Sequence, residues 1–290
     1  MSERVAIIGP GRMGLGLGAA LVQCRAAERL VFYGRGLEAP PHPLFDPRSA
    51  AASYRPGLGG LEADTTVVIL AVPDGALAEV AHDLASAGPA PRGCAALHLA
   101  GALSTDVLAP LHLAGYAIGS MHPLQTVADP WSGGDRLIGA AFALGGEPAA
   151  VAAGRRLVSA LRGRALVVPP TLRPLYHAAA VFASNYVVTL AALAARLLSQ
   201  AGIPEDDAVR ATLPLIRGAV DNLEHLGFAA ALTGPIVRGD VDVVRLHLGR
   251  LSSHDRSLYC ALGRETLRLA RLAGLDAERA AELESLLSGE

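Results

Sequence analysis

The sequence contains no lysine: all 25 of its basic side chains are arginines. That absence excludes a Schiff base with a carbonyl or with pyridoxal phosphate, a Walker-type phosphate lysine, and a desolvated lysine as acid or nucleophile. Proton transfer must fall to His, Tyr, Asp, Glu or Cys. Cysteine is scarce as well, and Cys24, Cys94 and Cys260 lie far apart without CxxC spacing. An odd, scattered set builds no disulfide framework and suits a reducing compartment, with the thiols as small core residues. The nine histidines include no HExxH and no tight cluster with Asp or Cys, so no metal is expected. Against 27 acidic residues the arginines leave a formal charge of −2. Without a concentrated basic footprint, nucleic acid is not an expected partner. The densest basic group, Arg155, Arg156, Arg162 and Arg164, sits on one short amphipathic stretch and reads as a solvated helix face.

What is present is apolar: mean hydropathy is +0.37 over 290 residues, enough chain for two domains with real cores. Met-Ser-Glu-Arg runs straight into Val5-Ala6-Ile7-Ile8, without the ordered regions of a signal peptide, and the expected location is cytoplasmic. The longest apolar stretch, residues 178–198, contains Asn185 and Arg196 and follows His177; it reads as a buried helix rather than a membrane span. Short apolar runs bounded by Gly, Pro or Asp predict strands over residues 5–9, 30–33, 67–72, 95–99, 117–121, 141–144 and 165–168. Helical stretches at 13–26, 77–87 and 148–161 alternate with them, which means βαβ units and a buried parallel sheet. Beyond Pro169-Pro170 strand signals stop, and helices are expected over 172–201, 205–225, 241–251, 256–273 and 277–287. The expected organisation is α/β: a Rossmann-type, doubly wound domain over residues 1–169 and an all-helical domain over 170–290. The proline pair marks the boundary, because proline fixes φ and disfavours helix in the residue before it.

Residues 5–14, Val-Ala-Ile-Ile-Gly-Pro-Gly-Arg-Met-Gly, form an apolar strand entering GxGxxG and opening a helix. In that context Gly9 gives the tight turn, Gly11 lets the backbone approach a pyrophosphate, and Gly14 allows close helix–strand packing; Pro10, Arg12 and Met13 complete the loop. The helix N-terminus offers free N–H groups to phosphate. Twenty residues after Gly14, where an NAD site carries a carboxylate for the ribose 2′-hydroxyl, stand Gly34-Arg35. A guanidinium there suits the 2′-phosphate, so NADP is favoured over NAD, unless Arg35 is simply a surface residue beside a turn. Val72-Pro73 ends one strand and passes beside the cofactor ribose; the following Asp74 reads as a helix cap. Ala100-Gly101 ends the next strand, where small residues let the nicotinamide approach the backbone.

Several motifs together carry a family likeness. They are residues 9–14, Ala71-Val72-Pro73-Asp74, His98-Leu99-Ala100-Gly101-Ala102, residues 119–126 (Gly-Ser-Met-His-Pro-Leu-Gln-Thr), Tyr176-His177 through Asn185, and residues 232–240 (Leu-Thr-Gly-Pro-Ile-Val-Arg-Gly-Asp). By these the chain resembles, over nearly its whole length, the Rossmann-like bacterial proteins with a C-terminal DUF2520 domain. Those are relatives of pyrroline-5-carboxylate reductase, ketopantoate reductase and the 6-phosphogluconate/β-hydroxyacid dehydrogenases. Ala100 departs from the serine more usual before the glycine. The resemblance implies a cofactor across the carboxyl edge of the sheet and a helical domain closing over the nicotinamide. Several of these relatives deliver the proton from a lysine, which this chain cannot do.

The candidates that remain are His177 at the start of the first helix of the second half and His122 after a strand. Ser184, seven residues past His177, and Asn185 would line one stripe with it on a continuous helix; alternatively His177 and Asn185 are satisfied polar groups between helices. A histidine titrating near neutrality is a competent proton donor. Thr233, Arg238 and Asp240 form a polar island in which Arg238 binds a substrate carboxylate as a fork, or else pairs with Asp240; His247 is a supporting residue on the same face. The expected activity is an NAD(P)-dependent oxidoreductase passing hydride to a small carboxylate-bearing keto or imino compound. Alternatives are a ketopantoate-like or pyrroline-5-carboxylate-like reductase specifically, and an NADP-binding sensor without turnover. A homodimer without membrane contact is expected from the apolar faces of the helical half.

Overall fold

A computed structural model of the chain describes residues 3–49 and 51–289. The chain divides into two compact units, Met1–Tyr186 and Val187–Glu290. The first holds eight strands: β1 (Glu3–Ile8), β2 (Ala27–Gly34), β3 (Ser53–Pro56), β4 (Val67–Leu70), β5 (Ala95–His98), β6 (Ala117–Pro123), β7 (Ala141–Gly146) and β8 (Arg164–Val167). They form one sheet in the order β3-β2-β1-β4-β5-β6-β7-β8. The helices are α1 (Arg12–Gln23), α2 (Leu77–Ser86), α3 (Ala109–Leu113), α4 (Gly133–Leu137), α5 (Pro148–Ala160) and α6 (Arg173–Ala183). α7 (Asn185–Gln200) runs from this unit into the next.

Apolar residues on both faces of the central strands explain the layering. Alternate side chains of one strand enter opposite cores. Val5 and Ile7 pack with Leu17, Leu21 and Leu157 on one face, whereas Ala6 and Ile8 pack with Leu77, Leu84 and Leu111 on the other. The sheet is doubly wound as expected, with two differences. Strand β3 was not foreseen, because an exposed edge strand reading Ser-Tyr-Arg-Pro has no apolar run to detect. Strand β7 is antiparallel to β6, and β8 follows it in parallel. The link between β6 and β7 carries only the five-residue α4, which packs on α1 through close glycines: a Cβ on Gly134 would stand 2.9 Å from Ala19 Cβ. No crossover helix lies between these two strands to keep them parallel.

The second unit is helical: the remainder of α7, then α8 (Glu205–Ala231), α9 (Pro235–Arg238), α10 (Val241–Leu248), α11 (Ser253–Leu272) and α12 (Ala277–Ser288). Its core joins Ile236, Val241, Val244, Leu248, Leu267, Ala270, Leu283 and Leu287. Asp276 caps α12 by accepting from Glu278 N and Arg279 N at 3.0 and 3.1 Å. Buried Asp255 receives a fork from Arg196, with Nη2 to Oδ1 at 2.5 Å.

The long helix expected over 172–201 is two. Helical geometry breaks at Ser184 (φ −125°, ψ −68°), at an adjacent Ser and Asn, residue types that favour non-helical backbone. The burial expected for residues 178–198 also fails within one chain, since none of α7 is buried. The stretch Pro170–Gln200 is long and apolar enough to cross a membrane. Exposed apolar side chains continue along α8, with Leu215 and Phe228 three-quarters exposed. α8 itself bends at Gly227 (φ 75°, ψ 175°).

Candidate functional site

The glycine loop sits where the strand order reverses, beside β1 and β4, which is where open α/β sheets bind ligands. Gly9 has φ +100°, and a Cβ there would meet Ala71 O at 2.6 Å and Val72 Cγ1 at 2.9 Å. One on Gly14 would overlap Gly9 O, so the helix lies against the turn. A Cβ on Gly11 meets nothing within 4 Å: open space faces the start of α1, whose first turn has no acidic residue. These features fit a pyrophosphate held by backbone N–H groups. Pro10 packs beneath Gly34, where a Cβ would stand 2.9 Å from its Cγ. Tyr54 donates to Gly36 O at 2.6 Å, steadying the loop that carries exposed Arg35. Arg12 and Arg35 enter no ion pair among the described residues, leaving both guanidinium groups to solvent or to an anion. Met13 is half-buried against the core. Val72 and Pro73 follow β4 beside this loop; Asp74 opens a 3₁₀ turn and makes no cap hydrogen bond, contrary to the cap expected.

A second group of side chains gathers near the carboxyl ends of β5 and β6, against α6. His122, from β6, shares a 2.8 Å hydrogen bond between its Nδ1 and Tyr176 Oη. Its ring meets that of His177 edge-on, centroids 5.7 Å apart. Both imidazoles press on Gly101: a Cβ there would overlap His177 Nδ1 and stand 2.9 Å from His122 Nε2. Beneath them Arg173 is 1% exposed, donating Nη1–H to Ser120 Oγ at 2.8 Å and Nη2–H to Ala100 O at 2.7 Å. His98 is fully buried at the end of β5, its Nδ1 accepting from Ala100 N at 3.2 Å. Buried Arg173 Nε, His98 Nε2 and His177 Nδ1 have no hydrogen-bond partner among the described residues.

Burial, then Arg173 and then His122, lower the His98 pKa to about 4. Burial, then His177 and then Arg173, bring His122 to about 4 as well. Both are neutral imidazoles at pH 7. Burial raises the Tyr176 hydroxyl against the opposing pull of Arg173. The cluster therefore holds one fixed positive charge, two neutral rings, His98 and His122, nitrogens on His98 and His177 unpartnered among the described residues, and a phenol in hydrogen-bond contact with His122.

Of the residues expected to do chemistry, His122 and His177 meet. Ser184 lies at the break after α6 and is exposed, so no continuous stripe joins it to His177; Asn185 is exposed as well and begins α7. Thr233, Arg238 and Asp240 belong to the second unit. There Arg238 is occupied by Asp240, both Nε and Nη2 lying 2.8 Å from its Oδ2, so the ion pair prevails over a free carboxylate fork. Thr233 is exposed. His247 bonds Tyr259 Oη at 2.9 Å, away from the role expected for it. Of the cysteines, Cys94 is in the core, where burial pushes its thiol up to about 12, while Cys24 and Cys260 are half-buried. His98, Ser120 and Tyr176 stood within the motifs that carry the family likeness but were given no role, and Arg173 was not named at all. Only the neighbouring motifs around Ala100, His122 and His177 pointed to their positions.

Residues 2–123 match the Rossmann-like domain family, and residues 140–266 match the domain of unknown function DUF2520. Among solved structures, the chain is similar to a protein of Bacteroides fragilis assigned as an NADP oxidoreductase. They share 24% identity and a TM-score of 0.65, over 94% of this chain and 98% of that one. A protein of Thermotoga maritima has 22% identity and a TM-score of 0.63, over 96% and 98%. The pyrroline carboxylate reductase of Plasmodium falciparum, solved with NADP bound, has 12% identity and a TM-score of 0.62, over 98% of each chain. No curated protein sequence matches. At these identities the likeness establishes a shared fold.

Proposed function

We propose, for a chain that belongs to the Rossmann-like proteins carrying a DUF2520 domain, an NADP-dependent oxidoreductase that passes hydride to a small carboxylate-bearing keto or imino compound. The observation that carries this reading is the meeting of His122 and His177 on Gly101, one strand along from the glycine loop's neighbour β4, at the sheet edge where such folds bind ligands. Bound NADPH supplies the hydride; the chain supplies position and a proton. The glycine loop and the start of α1 hold the pyrophosphate, and Arg35 pairs with the 2′-phosphate. Gly101, lacking a side chain, lets the two imidazoles close on the backbone at the sheet edge. His177 gives the proton to the atom that receives electrons, and His122, held by Tyr176, fixes the ring beside it. That solved folds of this kind include one with NADP bound and one assigned as an NADP oxidoreductase supports the cofactor reading.

The location we infer is the cytoplasm, and the apolar exposure of α6, α7 and α8 is covered by a second copy of the chain. The deciding experiment is NADPH and NADH oxidation across a panel of keto acids, imines and aldehydes, preceded by thermal-shift titration with each nucleotide. Stabilisation by NADPH and turnover of at least one panel member are expected. Absence of a shift with either nucleotide would sink the reading.

A further inference from the structure

We propose that Arg173 fixes the charge preference of this site: it favours a neutral carbonyl whose oxygen turns negative as hydride arrives, and it disfavours an iminium cation. The inference rests on the reductase reading above and narrows its substrate class. Arg173 is buried, yet its partners are the neutral Ser120 Oγ and Ala100 O, and its Nε is unfilled. It enters no ion pair among the described residues. The titratable groups facing it are His98 from β5, His122 from β6 and Tyr176 from its own helix, with His177 beyond His122; none is a carboxylate. The residue stands in the first turn of α6, where the backbone N–H groups already point positive and no acidic side chain balances them. An unopposed buried cation is costly. His98 and His122 do not oppose it; both remain neutral at pH 7.

For a ketone, hydride on carbon sends the π electrons to oxygen, and the alkoxide takes one proton to give the alcohol. Negative charge thus develops inside a positive pocket. For an iminium, the reactant brings its own positive charge and still carries part of it in the transition state, so the pocket opposes both relative to the free reactant, and no negative charge develops for it to stabilise.

The test compares the native protein with Arg173→Met, which removes charge at similar length, and Arg173→Lys, which restores one. The first reading is kcat/KM for a ketone and for the protonated cyclic imine of the same carbon skeleton. The native protein is expected to favour the ketone. In Arg173→Met the ketone value should fall roughly ten- to a hundredfold, the imine value should hold or rise, and Arg173→Lys should recover part of the ratio. An unchanged ratio in Arg173→Met, or a native protein that reduces the imine as well as the ketone, overturns the proposal. A second reading needs no turnover: calorimetric binding of oxamate and of a piperidinium cation, with NADP present. Oxamate tighter than piperidinium in the native protein, with the order lost in Arg173→Met, supports the charge preference; equal affinities for the two ions in the native protein overturn it. Should Arg173→Met fail to fold, the native ketone–imine and oxamate–piperidinium comparisons still decide. Failure of every panel substrate with the oxamate preference intact would count against the reductase reading alone.

Discussion

At the scale of single residues, Gly101 carries more of the site than its size suggests. No side chain fits between its Cα and the two imidazoles, so Gly101→Ala must push His177 aside. We expect a loss of at least about a hundredfold in kcat/KM, since misplacement of a reacting group by about 1 Å has that effect. Tm should move by only a few degrees, and comparing the two measurements separates displaced chemistry from lost fold. The histidines themselves predict a pH response. His98 and His122 bind protons near pH 4 when folded and near 6.5 when unfolded, so the unfolded chain binds more protons between those limits. Their contribution is complete above about pH 6.5 and is lost as pH falls towards 4, roughly 3 kcal/mol for the fully buried His98. Urea melts at pH 7 and pH 4.5 should show that fall, reduced in His98→Asn. At this scale the sequence disclosed His122 and His177 through their motifs. It hid Arg173, because an arginine in an apolar stretch ordinarily reaches solvent and nothing local says that Ser120 and Ala100 will receive it.

At the scale of elements, the glycine loop behaves as its spacing foretold. Gly14→Ala would drive a methyl into Gly9 O, at a destabilisation of about 1–3 kcal/mol, and should abolish the thermal shift with NADPH. Arg35→Ala tests a narrower point: NADPH affinity should weaken about tenfold or more with little change for NADH, read from nucleotide titrations. Seven of the strands were visible because buried strands are written as apolar runs. β3 was not, nor was the reversal of β7: an edge strand is polar, and strand direction depends on how the connection packs, which the strand's own residues do not encode. The break at Ser184 likewise interrupts a segment whose apolar pattern continues unbroken through it.

At the scale of the whole molecule, the exposed face of α7 and α8 makes a prediction about association. Val188→Arg and Leu215→Arg alter side chains that are at least 70% exposed, so neither should unfold the single chain. In sedimentation without detergent the native protein is expected as a dimer and the double variant as a monomer. Recovery of the native protein only with membranes would contradict the dimer. The sequence anticipated surplus apolar faces in the helical half and a second copy to cover them, but it read residues 178–198 as a buried helix, and none of α7 is buried within one chain. Amphipathic patterning tells which face avoids water, not whether the cover comes from the same chain.

The reversal of β7 also sets the direction in which the chain leaves the sheet. β8 runs against β6, and its Val167 lies level with Met121 in register, so the backbone departs below the level of His122 and must climb again. α6 makes that climb. Its first residue meets Ser120, and four residues later, about 6 Å along the axis, His177 meets His122. Depth in the protein is thereby translated into order along one helical turn, with the charge below and the proton above. A single residue inserted between positions 173 and 177 would swing one of them about 100° away, separating the two functions without removing either side chain.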